Sequence, residues 1–289
     1  MANLKEIRNR ITSVASTMQI TSAMKMVSAA KLKRAQDAIT QMRPYAEKLQ
    51  ELMQNISSTL EGEVGGAFTK QNASEKVLLV VFNSNRGLCG GFNSSINKEV
   101  IKAAKGQFKQ GGLDVFAIGK KGLEIFNREG IKVVDNLQDI VNKPTFDQIT
   151  EVTAWAMEKY SNGEYGKVLV VYNKFKNAAV QEVTFEQVLP VELPKSGNAV
   201  SSEYIFSPSK EQILVDLIPK TIKTQMFKAL LDSAASEHGS RMTAMHNATD
   251  NAGALKSELT LTYNKARQAA ITNEILEIVS GAEALASGN

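Results

Sequence analysis

Cysteine, histidine, tryptophan and proline are all scarce in this chain of 289 residues, which has one cysteine, two histidines, one tryptophan and six prolines. The lone Cys89 excludes an internal disulfide and a thiolate zinc site. His238 and His246 give poor support to a histidine-based metal site or a Ser-His-Asp triad. No apolar run is long enough to cross a bilayer. The N-terminus MANLKEIRNR is amphipathic and basic, without the apolar core of a secretory signal. It runs without a break into helical heptads, so it reads as mature protein in a cytosol-facing chain. A net charge of +4 is mild and does not by itself argue for nucleic acid, while 43% hydrophobic and 22% charged residues are ordinary for a soluble protein.

What the chain has instead is length without helix breakers at both ends. From Lys220 to Asn289 there is no proline and only scattered glycine. Met245, Ala248, Ala252, Leu255, Leu259, Thr262, Ala266 and Ala269 recur at alternating steps of three and four. That is the period of a coiled-coil seam. A helix of about 60 residues would be roughly 90 Å long, more than an ordinary core can cover, so most of it needs a partner outside one. From Leu4 to Arg43 there is neither proline nor glycine, and Ile7, Ile11, Val14, Met18 and Thr21 hold the same spacing. Lys25 and Ser28 interrupt it, and Leu32, Ala35, Ile39 and Met42 resume it. Two such helices predict an antiparallel intramolecular coiled coil. The alternative is that each packs on a separate globular body. Pro44 is expected to kink or restart the first helix, which continues to about Leu60.

The middle of the chain changes character after the loop GEVGGAFTKQNASE. KVLLVVF, Lys76 to Phe82, is a continuous apolar run of the kind that forms a strand buried on both faces. Further strands are expected at Asp114–Ile118, IKVVDNL, Lys167–Tyr172 and VQEVTFEQVLP, with helices between, the last of these from about Thr145 to Tyr160. Alternation of this kind predicts a parallel sheet with helices on both faces. A Pro/Gly/Ser-bearing loop from Val191 to Ser207, with a short strand EYIF, precedes a long helix for which Ser209 is the expected N-cap. The predicted fold is α/β: a long antiparallel coiled coil of N- and C-terminal helices with an inserted Rossmann-like parallel-sheet domain. The divisions are 1–60, 75–207 and 209–286.

Chemistry is thin. The loop Arg86-Gly-Leu-Cys-Gly-Gly-Phe92 follows a strand and precedes a helix, where many α/β folds bind nucleotides. It is neither GxGxxG nor GK[ST], so a tight turn that needs glycine competes with a phosphate cradle. Cys89 reads as a small buried group rather than a nucleophile. Trp155, with Ile149, Val152 and Ala156 around it, reads as core, and Asp114, Asp135 and Asp139 as unremarkable edge residues. MQITSAMKMVSAAKLKRAQ mixes methionine with small residues, a surface that can repack against more than one partner.

Three stretches carry a resemblance: IRNRITSVASTMQITSAMKMVSAAKLKRAQ, NRGLCGGFN, and SEHGSRMTAMHNATDNAGALKSELTLTYNKARQAAITNEILEIVSGAEAL. They closely resemble the gamma chains of F-type ATP synthases. The resemblance implies a rotor shaft inside a ring of three alpha and three beta subunits. Its α/β foot would bind the epsilon subunit and rest on the membrane ring of c subunits. It implies no catalytic residue, cofactor, metal, nucleic acid or direct membrane insertion. Arg267 and Gln268 match a pair that bonds to a catch loop of beta, a role suited to the fork of a guanidinium. Met24 and Lys25 match the region facing the lever segment of beta, and Arg241 and Met242 a stretch important for coupling. Arg86, Gly87, Gly90 and Gly91 match the foot motif and are assigned to packing between subunits. The cysteine-pair loop of chloroplast forms is missing, so their thiol switch is not expected, and a Met-initiated chain without a presequence favours a bacterial enzyme at the cytoplasmic face of the membrane. Two other readings remain: a coiled-coil scaffold, which would self-associate, and a nucleotide-dependent enzyme, which would need Arg86 to Phe92 to bind phosphate.

Overall fold

A computed structural model describes residues 4–58, 66–191 and 209–287. Five α-helices and five strands follow in the order α1 (Leu4–Ser58), β1 (Val77–Phe82), α2 (Phe92–Lys105), β2 (Leu113–Ile118), α3 (Lys120–Arg128), β3 (Val133–Leu137), α4 (Phe146–Ser161), β4 (Lys167–Phe175), β5 (Gln181–Leu189) and α5 (Lys210–Ser287). The expected strand EYIF and most of the loop that holds it lie outside the described residues. α1 runs through Pro44 and α5 through Pro219, so neither proline ends its helix. Ser209 caps α5 as its position predicts: the amide of Gln212 donates to Ser209 Oγ at 3.2 Å.

Contact density divides the described chain into two units, one of 28–243 and one that joins the first turns of α1 to α5 from Ala244 onward. In the larger unit the strand order is β3-β2-β1-β4-β5. β1 pairs in parallel with β2 and β4, and β2 with β3. β5 is antiparallel to β4, which departs from the all-parallel expectation. β4 continues beyond the expected end at Tyr172 to Phe175, and the chain turns back directly into β5. An antiparallel edge strand shows the same side-chain alternation as a parallel one, so local pattern does not carry direction.

The continuous burial of β1 has a simple cause. Leu78, Val80 and Phe82 belong to one core, Val77, Leu79 and Val81 to another, on opposite faces of the sheet. Ile96 and Val100 of α2 and Phe126 of α3 cover the second face. The first face is covered by α4, by Met53 and Ile56 of α1, and by Leu214, Ile218, Ile222, Met226 and Leu230 of α5. The first third of α5 is thus a core helix of the sheet domain; the expectation of a partner outside a globular core concerns most of the helix and leaves room for this part. Trp155 packs beside Phe116 with ring centroids 5.2 Å apart, as core packing predicts. Asp114 is far from unremarkable: it is buried, accepts a hydrogen bond from Tyr165 at 2.9 Å and pairs with Lys76 at 2.7 Å.

In the smaller unit the two helices run antiparallel. Lys25 meets His246, Thr21 meets Thr249, and Met18 Sδ lies 3.8 Å from where a Cβ on Gly253 would stand. Rising numbers on one helix face falling numbers on the other. On α5 the inward residues are Met245, Ala248, Thr249, Ala252, Gly253, Lys256, Leu259, Tyr263 and Ala266. Met245, Ala248, Ala252, Leu259 and Ala266 agree with the predicted seam, while Lys256 and Tyr263 turn inward in place of the predicted Leu255 and Thr262, and Ala269 is exposed. Leu255 stays exposed. On α1 the pattern is not interrupted where the sequence predicts a break: Lys25 is half-buried and Ser28 is buried. A lysine can lay its methylene stem along apolar surface, and a serine lets backbones approach.

Candidate functional site

Strand order reverses beside β1, where successive crossovers leave to opposite sides, and the crevice there opens at the carboxyl ends of β1 and β4. In doubly wound folds this is the ligand position. Here α5 occupies it. Ser236 Oγ donates to the carbonyl of Asn173 at 2.8 Å, Ser240 Oγ to that of Cys89 at 2.6 Å, and Thr243 Oγ1 to that of Ala178 at 3.1 Å. Arg241 Nη2 reaches the carbonyls of Arg86 at 3.2 Å and Gly87 at 3.5 Å. Between them Gly239 lets the helix touch the β4–β5 turn: a Cβ there would stand 3.2 Å from the Cα of Ala178 and 3.3 Å from the Phe175 ring. A space of only about 10 Å³ is left beside Phe82, Asn83 and Glu237.

The loop itself is tied from both sides. Ser84 Oγ donates to the Arg86 carbonyl at 2.6 Å, and Asn93 Nδ2 donates to Ser84 Oγ at 2.7 Å and to Cys89 Sγ at 3.3 Å. Leu88 takes a left-handed φ of 61° and Gly90 one of 57°. That turn presents the carbonyls of Arg86, Gly87 and Cys89 to α5. Burial pushes the Cys89 thiol up, which opposes thiolate formation; the side chain is a packed group, as its sequence context predicts.

Charge is concentrated on the same turns of α5. Glu237 and Arg241 form an ion pair at 2.5 Å with both side chains almost wholly buried. Desolvation nevertheless holds the Glu237 carboxyl above the usual range, against the pull of Arg241 and Lys31. His238 is driven down to about 4 by burial, with Arg241 and Lys31 adding repulsion, and its Nδ1 is buried without a hydrogen-bond partner.

The structure brings together two groups that sequence reasoning kept apart. Arg241 is bound to the backbone of Arg86 and Gly87, and Gly90 and Gly91 complete the same loop. Met242 is half-buried on the next position. The other predicted residues lie in the smaller unit. Met24 and Lys25 are half-buried on α1, with Lys25 Nζ 3.2 Å from His246 Nδ1, and Arg267 and Gln268 are exposed on α5. Ser236, Gly239, Ser240 and Thr243 were missed. Their signal was available: small residues at steps of three and four on one helix face just before the seam begins.

Among the described residues there is no His/Cys/Asp/Glu group able to hold a metal ion, and no helix is long and apolar enough to cross a membrane. The family model described as ATP synthase matches residues 3–285. The ATP synthase gamma chain of Flavobacterium psychrophilum is 61% identical over 287 residues, covering 99% of both chains. That of Christiangramia forsetii is 53% identical, again over 99% of both. Among solved structures, a chain from the Tetrahymena thermophila mitochondrial ATP synthase central stalk and c-ring aligns with TM-score 0.57 and 27% identity, covering 79% of this chain and 99% of that one. One from the Euglena gracilis OSCP/F1/c-ring assembly aligns with TM-score 0.68 and 20% identity over 99% and 95%, which speaks to the fold alone. With full-length identity at this level and the matching antiparallel helices and sheet, the chain belongs to the ATP synthase gamma chain family.

Proposed function

We propose that this chain is the central shaft of a bacterial F-type ATP synthase, a non-catalytic subunit that turns inside a ring of alpha and beta subunits. The observation that carries this reading is the free end of α5. From Arg267 to Glu283 every residue is exposed, although the helix continues to Ser287. Ile271, Ile275, Leu276, Ile278 and Val279 stand open along it. A helix end this apolar, with no partner among the described residues, is suited to a surrounding sleeve. Glu274, Glu277 and Glu283 are its only charged residues beyond Arg267, so few ion pairs would hold it at one angle.

Arg267 and Gln268 sit where the apolar end begins, and on this reading they bond to a beta subunit, Arg267 through its two-pronged guanidinium. Met24 and Lys25 face the lever segment of beta. Epsilon and the c-ring engage the sheet domain, with the whole particle peripheral at the cytoplasmic face of the membrane. Rotation of an asymmetric shaft then presents each beta subunit in turn with a different surface. Differential contact of that kind shifts a conformational equilibrium without chemistry in the shaft itself.

The test is co-expression with the alpha and beta subunits of the same organism, followed by size exclusion and an ATPase assay. The expected result is one large particle with one copy of this chain per three of each partner. A chain that elutes alone or as a homodimer, with equally active particles formed in its absence, overturns the proposal and favours a self-associating scaffold.

A further inference from the structure

We propose that Ser236, Ser240, Arg241 and Thr243 form the joint that locks the sheet domain to α5 against torsion, and that Arg241 serves coupling as a positioning residue within its own chain. This rests on the shaft reading, because only a loaded shaft needs such a joint.

The apolar contacts of α5 on the sheet hold the domain together, but hydrophobic contact is non-directional and gives weak resistance to twisting or sliding. Hydrogen bonds resist both, because they fail when donor and acceptor move by about an ångström. The polar contacts of α5 are placed for this purpose. Ser236, Ser240 and Thr243 recur along one face of the helix, and each donates to a main-chain carbonyl, of Asn173, Cys89 and Ala178. Those carbonyls belong to segments on both sides of the crevice, so the helix is gripped from two sides. Serine and threonine arms have a single heavy-atom torsion and little slack. Backbone acceptors cannot swing away as side chains can. Gly239, at the centre of the face, brings helix and turn into direct contact.

Arg241 closes the joint. Its guanidinium is held by buried Glu237 on one side and bonds the Arg86 and Gly87 carbonyls on the other. Its side chain is only 11% exposed, which leaves little of it for another subunit. Leu88, whose left-handed φ of 61° a leucine adopts only at a cost, follows directly on the two carbonyls that Arg241 holds.

The experiment uses the complete ATP synthase in sealed vesicles. ATP-driven ion pumping is measured against an imposed opposing gradient, beside hydrolysis at zero gradient. The variants are Ser236→Ala/Ser240→Ala/Thr243→Val together, Thr243→Val and Thr243→Ser singly, and Arg241→Lys. Loss of the joint is expected to leave hydrolysis at zero gradient within about twofold while pumping stalls at a smaller opposing gradient. Thr243→Ser keeps its hydroxyl and should stall where the parent does. Arg241→Lys keeps the charge but cannot span Glu237 and two carbonyls, so it should stall early. A purely structural defect would lower the amount of assembled enzyme and scale both readings equally, which overturns the proposal. So does a stall point equal to the parent's in the triple variant and in Arg241→Lys. If the triple variant does not assemble, the Thr243→Val and Thr243→Ser pair decides by the same criterion. Failure of the shaft reading would look different: the parent complex itself would pump and hydrolyse equally well without this chain.

Discussion

The ammonium of Lys25 lies 3.2 Å from Nδ1 of His246, and the same nitrogen lies 3.4 Å from Asp250 Oδ2. Lys25 only donates, so this bond requires an unprotonated Nδ1 and places the ring proton on Nε2. The carboxylate bond requires the opposite. The two partners therefore compete for one atom. The Lys25 bond favours the Nε2-H tautomer of His246, and Lys25→Met should shift the neutral ring toward a mixture. Nitrogen chemical shifts of a histidine-labelled chain read the tautomer directly; an unchanged spectrum in the variant would remove the bond from the account. The contact is at the surface, so the stability change should stay below about 1 kcal/mol.

Gly122→Ala should destabilise the sheet domain strongly. A methyl at this buried position would meet the side-chain amide of Asn83, with Cγ only 2.7 Å away, and the Phe126 ring at 3.1 Å. Asn83 cannot yield easily, because its Nδ2 bonds Asn97 Oδ1 at 3.0 Å and its backbone is part of the loop behind α5. Overpacking of this kind costs about 1–3 kcal/mol. Urea unfolding of the variant beside the parent measures it.

Acid should loosen the larger unit before its carboxylates are all protonated. His238, held at about 4, titrates below the ordinary histidine value of 6.5, so between that value and about 4 the unfolded chain binds the extra proton. Stability therefore falls as pH drops through this window and is flat below it. Glu237 works against the trend, since its raised carboxyl makes the folded chain the better proton acceptor near its own titration. His238→Gln should flatten the acid limb of stability between about pH 6.5 and 4. Denaturation midpoints across that range decide; an equally steep limb in the variant would rule His238 out as its source.

Arg267→Ala should leave the helix intact and lower coupled ATP synthesis. The side chain is exposed on α5 and alanine is the best helix former, so circular dichroism should not change. Loss of a charge-assisted contact worth about 1.5–3 kcal/mol corresponds to roughly tenfold or more in rate if it acts at the limiting step. Unchanged synthesis in the variant would count against the contact with beta.

Sequence alone determined the helices at both ends and the strands between them. Those features rest on local properties: freedom from breakers and a continuous apolar run in β1. Tertiary structure decided what local pattern does not encode. Leu255 fits the heptad spacing better than Lys256, yet only the packed pair of helices leaves the leucine exposed and turns the lysine stem inward. Lys25 and Ser28 look like interruptions until a lysine stem and a small serine are seen turned inward. The direction of β5 depends on a neighbouring strand rather than on its own alternation. The role of Arg241 emerged only in space. No spacing along the chain reveals that its guanidinium meets the carbonyls of Arg86 and Gly87, because folding brings together groups from opposite ends of the sequence and hydrogen bonds act over about 3 Å.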